Sequence, residues 1–169
     1  QNIPTGADWV DGMCVTDAGM ILYVSYGMNG IELCEVNPST GAKEKTYKNI
    51  PEMSGRMECV GGKLYISGNT KLYEYDLEKQ ESVEVLDWLA SSVYGNYVQT
   101  FTITADGKIV VYIDNYSART EIAVLTKTLA PEMTQKQIIT LATLYDGTNL
   151  SEAIVNFNKN STNYQIKLQ

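Results

Sequence analysis

From residue 9 to residue 125 the chain is built of short runs in which apolar and polar positions exchange, broken by Gly, Asp, Asn, Ser and Pro. Runs such as "ILYVSY" (21–26), "LYISG" (64–68) and "IVVYID" (109–114) are rich in β-branched and aromatic residues, which suit a pleated, half-buried surface. The turn residues between them predict hairpins. The order of the runs recurs. "MCVTDAGMIL" (13–22) lies over "FTITADGKIV" (101–110) without a gap, and "ECVGGKLYI" (58–66) is a shorter version. A further run follows each, "IELCEV", "LYEYDL" or "TEIAVL", with Leu33, Leu72 and Ile122 in the same place. In the first two copies a fourth run comes after PSTG or EKQ. Each copy turns at a glycine, Gly19, Gly62 or Gly107, a residue that adopts positive φ at no steric cost.

Four short antiparallel strands recurring at about 40 residues are the pattern of a β-propeller blade. An antiparallel meander whose hairpins merely look alike is the other reading. The expected fold is therefore mainly β: about three propeller-like antiparallel blade repeats over residues 1–127, followed by a C-terminal β-α-β unit. A closed propeller has roughly four to eight blades. Three copies imply either further blades before Gln1 or an open stack.

Beyond residue 127 the period changes. Residues 128–137, with Pro131 among polar neighbours, read as a linker. "IITLATLY" (138–145) is almost continuously apolar, as expected of a strand buried on both faces of a parallel sheet. "YDGTN" is a turn. Leu150, Ala153, Ile154 and Phe157 then fall on one face of a helix. Asn149 is the expected N-cap, with Glu152 three residues on completing an approximate capping box. Tyr164, Ile166 and Leu168 alternate as a strand, and the crossover makes the pair parallel. Two strands and one helix cannot bury their own apolar faces. The Leu150–Phe157 face is thus expected to dock on the sheets or pair with another chain, or else the unit stays mobile.

Composition narrows the function. Net charge is −7, with 13 Lys and Arg scattered singly, which disfavours a nucleic-acid partner, since backbone binding needs clustered positive charge. No apolar run is long enough to span a membrane. The absence of histidine excludes Ser-His-Asp and Cys-His nucleophilic systems and any histidine-ligated metal. No cofactor is expected. Cys14, Cys34 and Cys59 have no CxxC spacing and read as small buried residues, a Cys14–Cys59 disulfide being the alternative. Asp17, Asn37, Asp76 and Asp106 sit at turns, where short polar side chains bond nearby backbone. Among the carboxylates Glu32, Glu35, Asp114 and Glu121, no pattern marks a catalytic pair. Trp88 lies in "VLDWLASSVYGNY", a longer connection expected to hold one helical turn and to cover a sheet edge.

The segment "ITLATLYDGTNLSEAIVNFNKNSTNYQIKLQ" (139–169) resembles the opening of the family 1 extracellular solute-binding proteins of ABC importers. The likeness lies in a Thr- and Leu-rich first strand (Leu141), a helix ending in Phe157-Asn158-Lys159, and a second strand with Tyr164 and Ile166. It spans roughly a fifth of the 169 residues. The resemblance implies a two-lobed binding fold of which only the first elements are present. The chain is then a segment of a secreted, surface-anchored lipoprotein whose lipid anchor lies upstream of Gln1. It also implies a small-molecule solute or sugar as ligand and an ABC permease as a partner contacted through regions outside this chain. By position, the ligand-lining loop is Tyr145, Asp146, Gly147 and Thr148; an ordinary βα turn is the plainer reading of those four residues. On this view the chain is non-catalytic. A propeller-type protein-interaction module at the cell surface is the alternative, and a propeller glycosidase the third.

Overall fold

The structure is a computed structural model of the chain and describes residues 2–27, 30–52, 55–114, 120–127, 136–144 and 147–168, without the side chain of Thr148. With 52% of residues in strands and 10% in helix, the protein is mainly β. Three antiparallel sheets follow one another along the chain. The first sheet runs β1 (Trp9–Val15), β2 (Ile21–Gly27), β3 (Gly30–Val36) and β4 (Lys43–Tyr47). The second runs β5 (Arg56–Val60), β6 (Lys63–Ser67), β7 (Lys71–Asp76) and β8 (Glu81–Asp87). The third has β9 (Val98–Ile103), β10 (Ile109–Asp114) and β11 (Thr120–Leu125) among the described residues. In all three, chain order is spatial order, as hairpin connections dictate.

The turns show why the sequence folds this way. At the first β1–β2 turn the Thr16 N–H donates to the Met20 carbonyl (2.8 Å), the Gly19 N–H to the Thr16 carbonyl (2.8 Å) and the Met20 N–H to Thr16 Oγ1 (3.1 Å). The β9–β10 turn repeats this set at Thr104, Gly107 and Lys108, with distances of 2.9, 2.8 and 3.0 Å. Gly19 and Gly107 share a φ of 78°. The β5–β6 turn is shorter: Val60 pairs with Lys63, and Gly61 and Gly62 between them both have positive φ, as a two-residue I′ turn requires. Asn37 and Asp76 accept from backbone N–H groups two or three residues on, the turn role expected of them. Asp106 accepts from the Thr104 hydroxyl at the tip of its own turn.

The sheets stack face to face. Cys14, Leu22, Val24 and Leu33 of the first sheet meet Met57, Leu64, Ile66 and Tyr75 of the second. On the other side of the second sheet, Tyr65 and Leu72 meet Phe101, Ile109 and Val111 of the third, with Trp88 sealed among them. Leu22, Leu33, Ile66, Leu72 and Trp88 are all 0% exposed. Each fully buried aliphatic contributes roughly 1.5–3 kcal/mol. The sheets approach most closely at their first strands, β1 to β5 and β5 to β9. At that approach a Cβ on Gly12 would lie 2.3 Å from the Gly55 carbonyl oxygen, so only glycine fits. A disulfide joins Cys14 to Cys59 across the same interface, with Cα atoms 5.7 Å apart, so the alternative reading of the cysteines is the one the structure adopts. Closing a loop of 45 residues constrains the unfolded chain by about 4 kcal/mol in the chain-entropy account. Cys34 is free and buried. The stack does not close into a ring.

The C-terminal unit is β-α-β, as the change of period predicts: β12 (Gln137–Leu141), α1 (Thr148–Asn160) and β13 (Tyr164–Leu168), with β12 and β13 parallel and Ile139 paired to Ile166. The linker expectation falls largely on residues 128–135, outside the described residues. Three local expectations are corrected. All of β12 is exposed rather than buried on both faces, because no neighbour covers its outer edge and far face among the described residues. The helix begins after Gly147, not Asn149, and Glu152 makes no cap; it accepts a hydrogen bond from Tyr97 instead. The face turned inward is Ser151, Ile154, Val155 and Asn158, while Ala153 is exposed and Phe157 is 38% exposed. Apolar periodicity alone missed this rotation because the anchor is polar. The Asn158 amide donates to the carbonyls of Ile166 (2.9 Å) and Leu89 (3.1 Å) and accepts from the Ile166 N–H (2.7 Å). The unit docks on the 88–97 connection through Leu89, Tyr94, Ile154 and Val155.

Candidate functional site

The connection from Trp88 to Tyr97 positions the site. The Trp88 indole donates to Ser67 Oγ (3.2 Å), and the Val93 N–H returns to the Trp88 carbonyl (2.8 Å), closing a tight loop. Asp87 Oδ1 accepts from the Ala90 N–H at 2.8 Å and starts that loop. Gly95 then passes so close to the second sheet that a Cβ would sit 2.0 Å from the Asn69 carbonyl oxygen. The glycine lets the following 3-10 turn, Gly95–Tyr97, press Tyr94 and Tyr97 together edge to face, with ring centroids 4.7 Å apart and planes at 84°. The one helical turn expected in this connection is that 3-10 turn.

These two tyrosines form one wall of a cleft of about 290 Å³ between the connection, the end of the third sheet and α1. That volume is near the lower end for small-ligand sites. Glu152, Asn156 and Lys159 come from successive turns of the helix, and Ile113 and Glu121 from a cross-strand pair of the sheet. Two bridges span the cleft. Tyr97 donates its hydroxyl to Glu152, and Lys159 Nζ lies 3.3 Å from Glu121 Oε2. The hydrogen bond to Glu152, helped by partial burial, raises the Tyr97 hydroxyl to about 12, so it stays a protonated donor at any physiological pH. Asn96 donates to the Tyr94 hydroxyl at 2.9 Å. Two carboxylates and one ammonium line the space, so it favours a neutral or weakly cationic guest over an anion.

Two other cavities differ in kind. A wedge of about 680 Å³ opens between the second and third sheets, but its acids are matched on their own sheet, Glu74 by Lys63 (2.9 Å) and Glu84 by Lys71 (2.6 Å). A groove of about 350 Å³ on the first sheet is chiefly apolar. Among the described residues, no cluster of three or more Cys, Asp or Glu could hold a metal ion, and no helix is long and apolar enough to cross a membrane.

Of the loop singled out from sequence, Tyr145 and Asp146 lie outside the described residues. Gly147 caps α1, its carbonyl accepting from the Leu150 (2.9 Å) and Ser151 (3.2 Å) N–H groups. Glu152 follows five residues later, about 7.5 Å along the helix axis. The carboxylates weighed earlier are not brought together. Glu32 pairs with Lys43 (3.1 Å), Glu35 accepts from the Tyr47 hydroxyl, Asp114 ends β10, and Glu121 alone reaches the cleft. The cleft residues that sequence reasoning missed are Tyr94, Tyr97, Glu152 and Lys159. The one signal for them was the long connection ending in YGNY.

No protein-family model matches the chain, and no curated protein matches it. The cleft is therefore interpreted from its own chemistry.

Proposed function

We propose that the chain is a non-catalytic binding segment of a secreted solute-binding protein, and that a small polyhydroxylated solute of the sugar class sits in the Tyr94–Tyr97–Glu152 cleft. The observation that carries this is the meeting of two aromatic rings with two carboxylates, an amide and an ammonium from three separate stretches of chain. Sugar rings present apolar C–H faces to aromatics and hydroxyls to such polar groups. Tyr97 holds Glu152 in place before any ligand arrives, which lowers the cost of ordering on binding. The disulfide between β1 and β5 supports an oxidising, extracytoplasmic setting. The likeness of residues 139–169 to solute-binding proteins adds Tyr145, Asp146, Gly147 and Thr148 to the ligand-facing set and an ABC permease as the downstream partner.

In the same reading the three sheets are successive propeller-type blades, supported by the matching turns at Thr16 and Thr104 and by the approach of β1, β5 and β9 at one side of the stack. A site this small favours monosaccharides, with dissociation constants between about 1 μM and 1 mM, or −8 to −4 kcal/mol. Calorimetric titration of the chain with a panel of neutral and amino sugars tests the proposal. Saturable heat that weakens in Glu152→Gln and in Lys159→Met, both at half-exposed positions lining the cleft, supports it. A folded sample that gives no heat with any sugar overturns it.

A further inference from the structure

The sheets pair in one register. Met13↔Tyr23, Cys14↔Leu22, Val15↔Ile21 and Val24↔Leu33 of the first sheet correspond to Phe101↔Val111, Thr102↔Val110, Ile103↔Ile109 and Tyr112↔Ile122 of the third. In the second sheet Met57↔Ile66, Cys59↔Leu64 and Ser67↔Leu72 hold the same places. Every position can therefore be followed through the stack. At Leu22, Val24 and Leu33 the first sheet is 0% exposed, because these residues hold the second sheet. Their counterparts on the third sheet, Val110, Tyr112 and Ile122, face outward, with Tyr112 36% and Ile122 72% exposed and Val124 beside them at 58%. On the opposite face the situation is mirrored. Phe101 and Ile109 of the third sheet are buried against the second, while Met13 and Val15 of the first are 66% and 58% exposed. Ile3 covers only the Tyr23–Val36 part of that face and leaves the apolar groove beside Val10, Met13 and Ile21 open.

We propose that these two end faces are complementary docking surfaces for a second copy of this chain, the third sheet of one copy seating on the first sheet of the next as consecutive sheets seat within the chain. The stated occupant follows from the molecule itself. Each exposed face carries the residue positions that, one or two sheets away, are buried against a neighbouring sheet of the same register. The two faces differ from each other, so the contact is head to tail, and head-to-tail contacts extend to rings or filaments rather than stopping at a symmetric dimer. Exposed β-branched and aromatic residues on a sheet face contribute little in water and become stabilising once a neighbouring sheet covers them. The inference rests on the three sheets being successive members of one repeat, and not on the sugar cleft.

Sedimentation of the full chain from micromolar to near-millimolar concentration tests it. The wild type is expected to grow beyond a dimer with concentration. Two blocked variants, Tyr112→Glu with Ile122→Glu on the third sheet and Met13→Glu with Val15→Glu on the first, are each expected to be monomeric. Circular dichroism confirms that both remain folded, since all four sites are on outer faces. Mixed together, each keeps one open face, and they are expected to form a one-to-one heterodimer and nothing larger. A wild-type chain that stays monomeric overturns the proposal. So does a blocked variant that still self-associates, which would mean like faces pair. Both blocked variants keep the cleft, so their sugar titration reads the function proposal separately.

Discussion

The two halves of the molecule are held in different ways. Between the first and second sheets the contact is apolar and sealed: Leu22, Leu33 and Ile66 are fully buried, and the Cys14–Cys59 disulfide ties the first strands together. The C-terminal unit is attached by a small cluster, Leu89, Tyr94, Ile154 and Val155, and by polar links from Asn158, Gln165, Glu152 and Lys159. One of its two strands is exposed along its whole length. Apolar burial is non-directional and adds up with area, so the sheets behave as one body. Hydrogen bonds add about 0.5–1.5 kcal/mol each in net terms but fix geometry tightly. The lesson is that the stack supplies stability and the docked helix supplies a precisely placed wall for the cleft.

The largest effect expected is in the stack. Leu33→Ala should cost about 2–5 kcal/mol and lower the denaturation midpoint of the whole molecule, read by chemical unfolding monitored in the far ultraviolet. Next comes Asn158→Ala, which strands the Ile166 N–H and the Ile166 and Leu89 carbonyls and should cost about 1–3 kcal/mol. Hydrogen exchange should then speed up across α1 and β13 while β2, β3 and β6 keep their protection. If every sheet loses protection together, the two halves form a single cooperative unit and the contrast fails.

The smallest effect concerns the bridge across the cleft. The folded-state Tyr97 hydroxyl titrates at about 12, above its ordinary 10, so its contribution to docking is complete below pH 10 and is lost as pH rises through 12. Phenolate absorbance should show several late-titrating tyrosines, Tyr47 among them, raised by burial and by its bond to Glu35, and Tyr97→Phe should remove one of them. That variant should loosen the helix only slightly near neutrality, because the bond is partly solvated. A Tyr97→Phe chain that loses an ordinary phenolate and keeps every late one would show that the Tyr97 hydroxyl is not raised.

Much of the fold was legible along the chain. The gapless likeness of 13–22 to 101–110 corresponds to the same turn hydrogen bonds and the same strand register, since turn type is set by a few adjacent residues. The parallel β12–β13 pair was legible too, because a strand–helix–strand order leaves little other choice. The helix face was not, because Ser151 and Asn158 turn inward for hydrogen bonds that a hydropathy pattern scores against them. The exposure of β12 was not, because an apolar run states what could be buried and not what arrives to bury it. The cleft was illegible for a further reason. Glu152 and Lys159 share a helix face, but no local spacing links them to Tyr97 or Glu121, and the four meet only when α1 docks.

By itself, then, the sequence determined the strands, their turns, the order of the three sheets and the β-α-β ending, all properties of neighbours along the chain. The tertiary structure alone decided that Cys14 bonds Cys59, that α1 turns on Asn158, and that two tyrosines face Glu152 across a cleft. Those outcomes depend on distances between residues far apart in the chain, and packing sets such distances while local propensity does not.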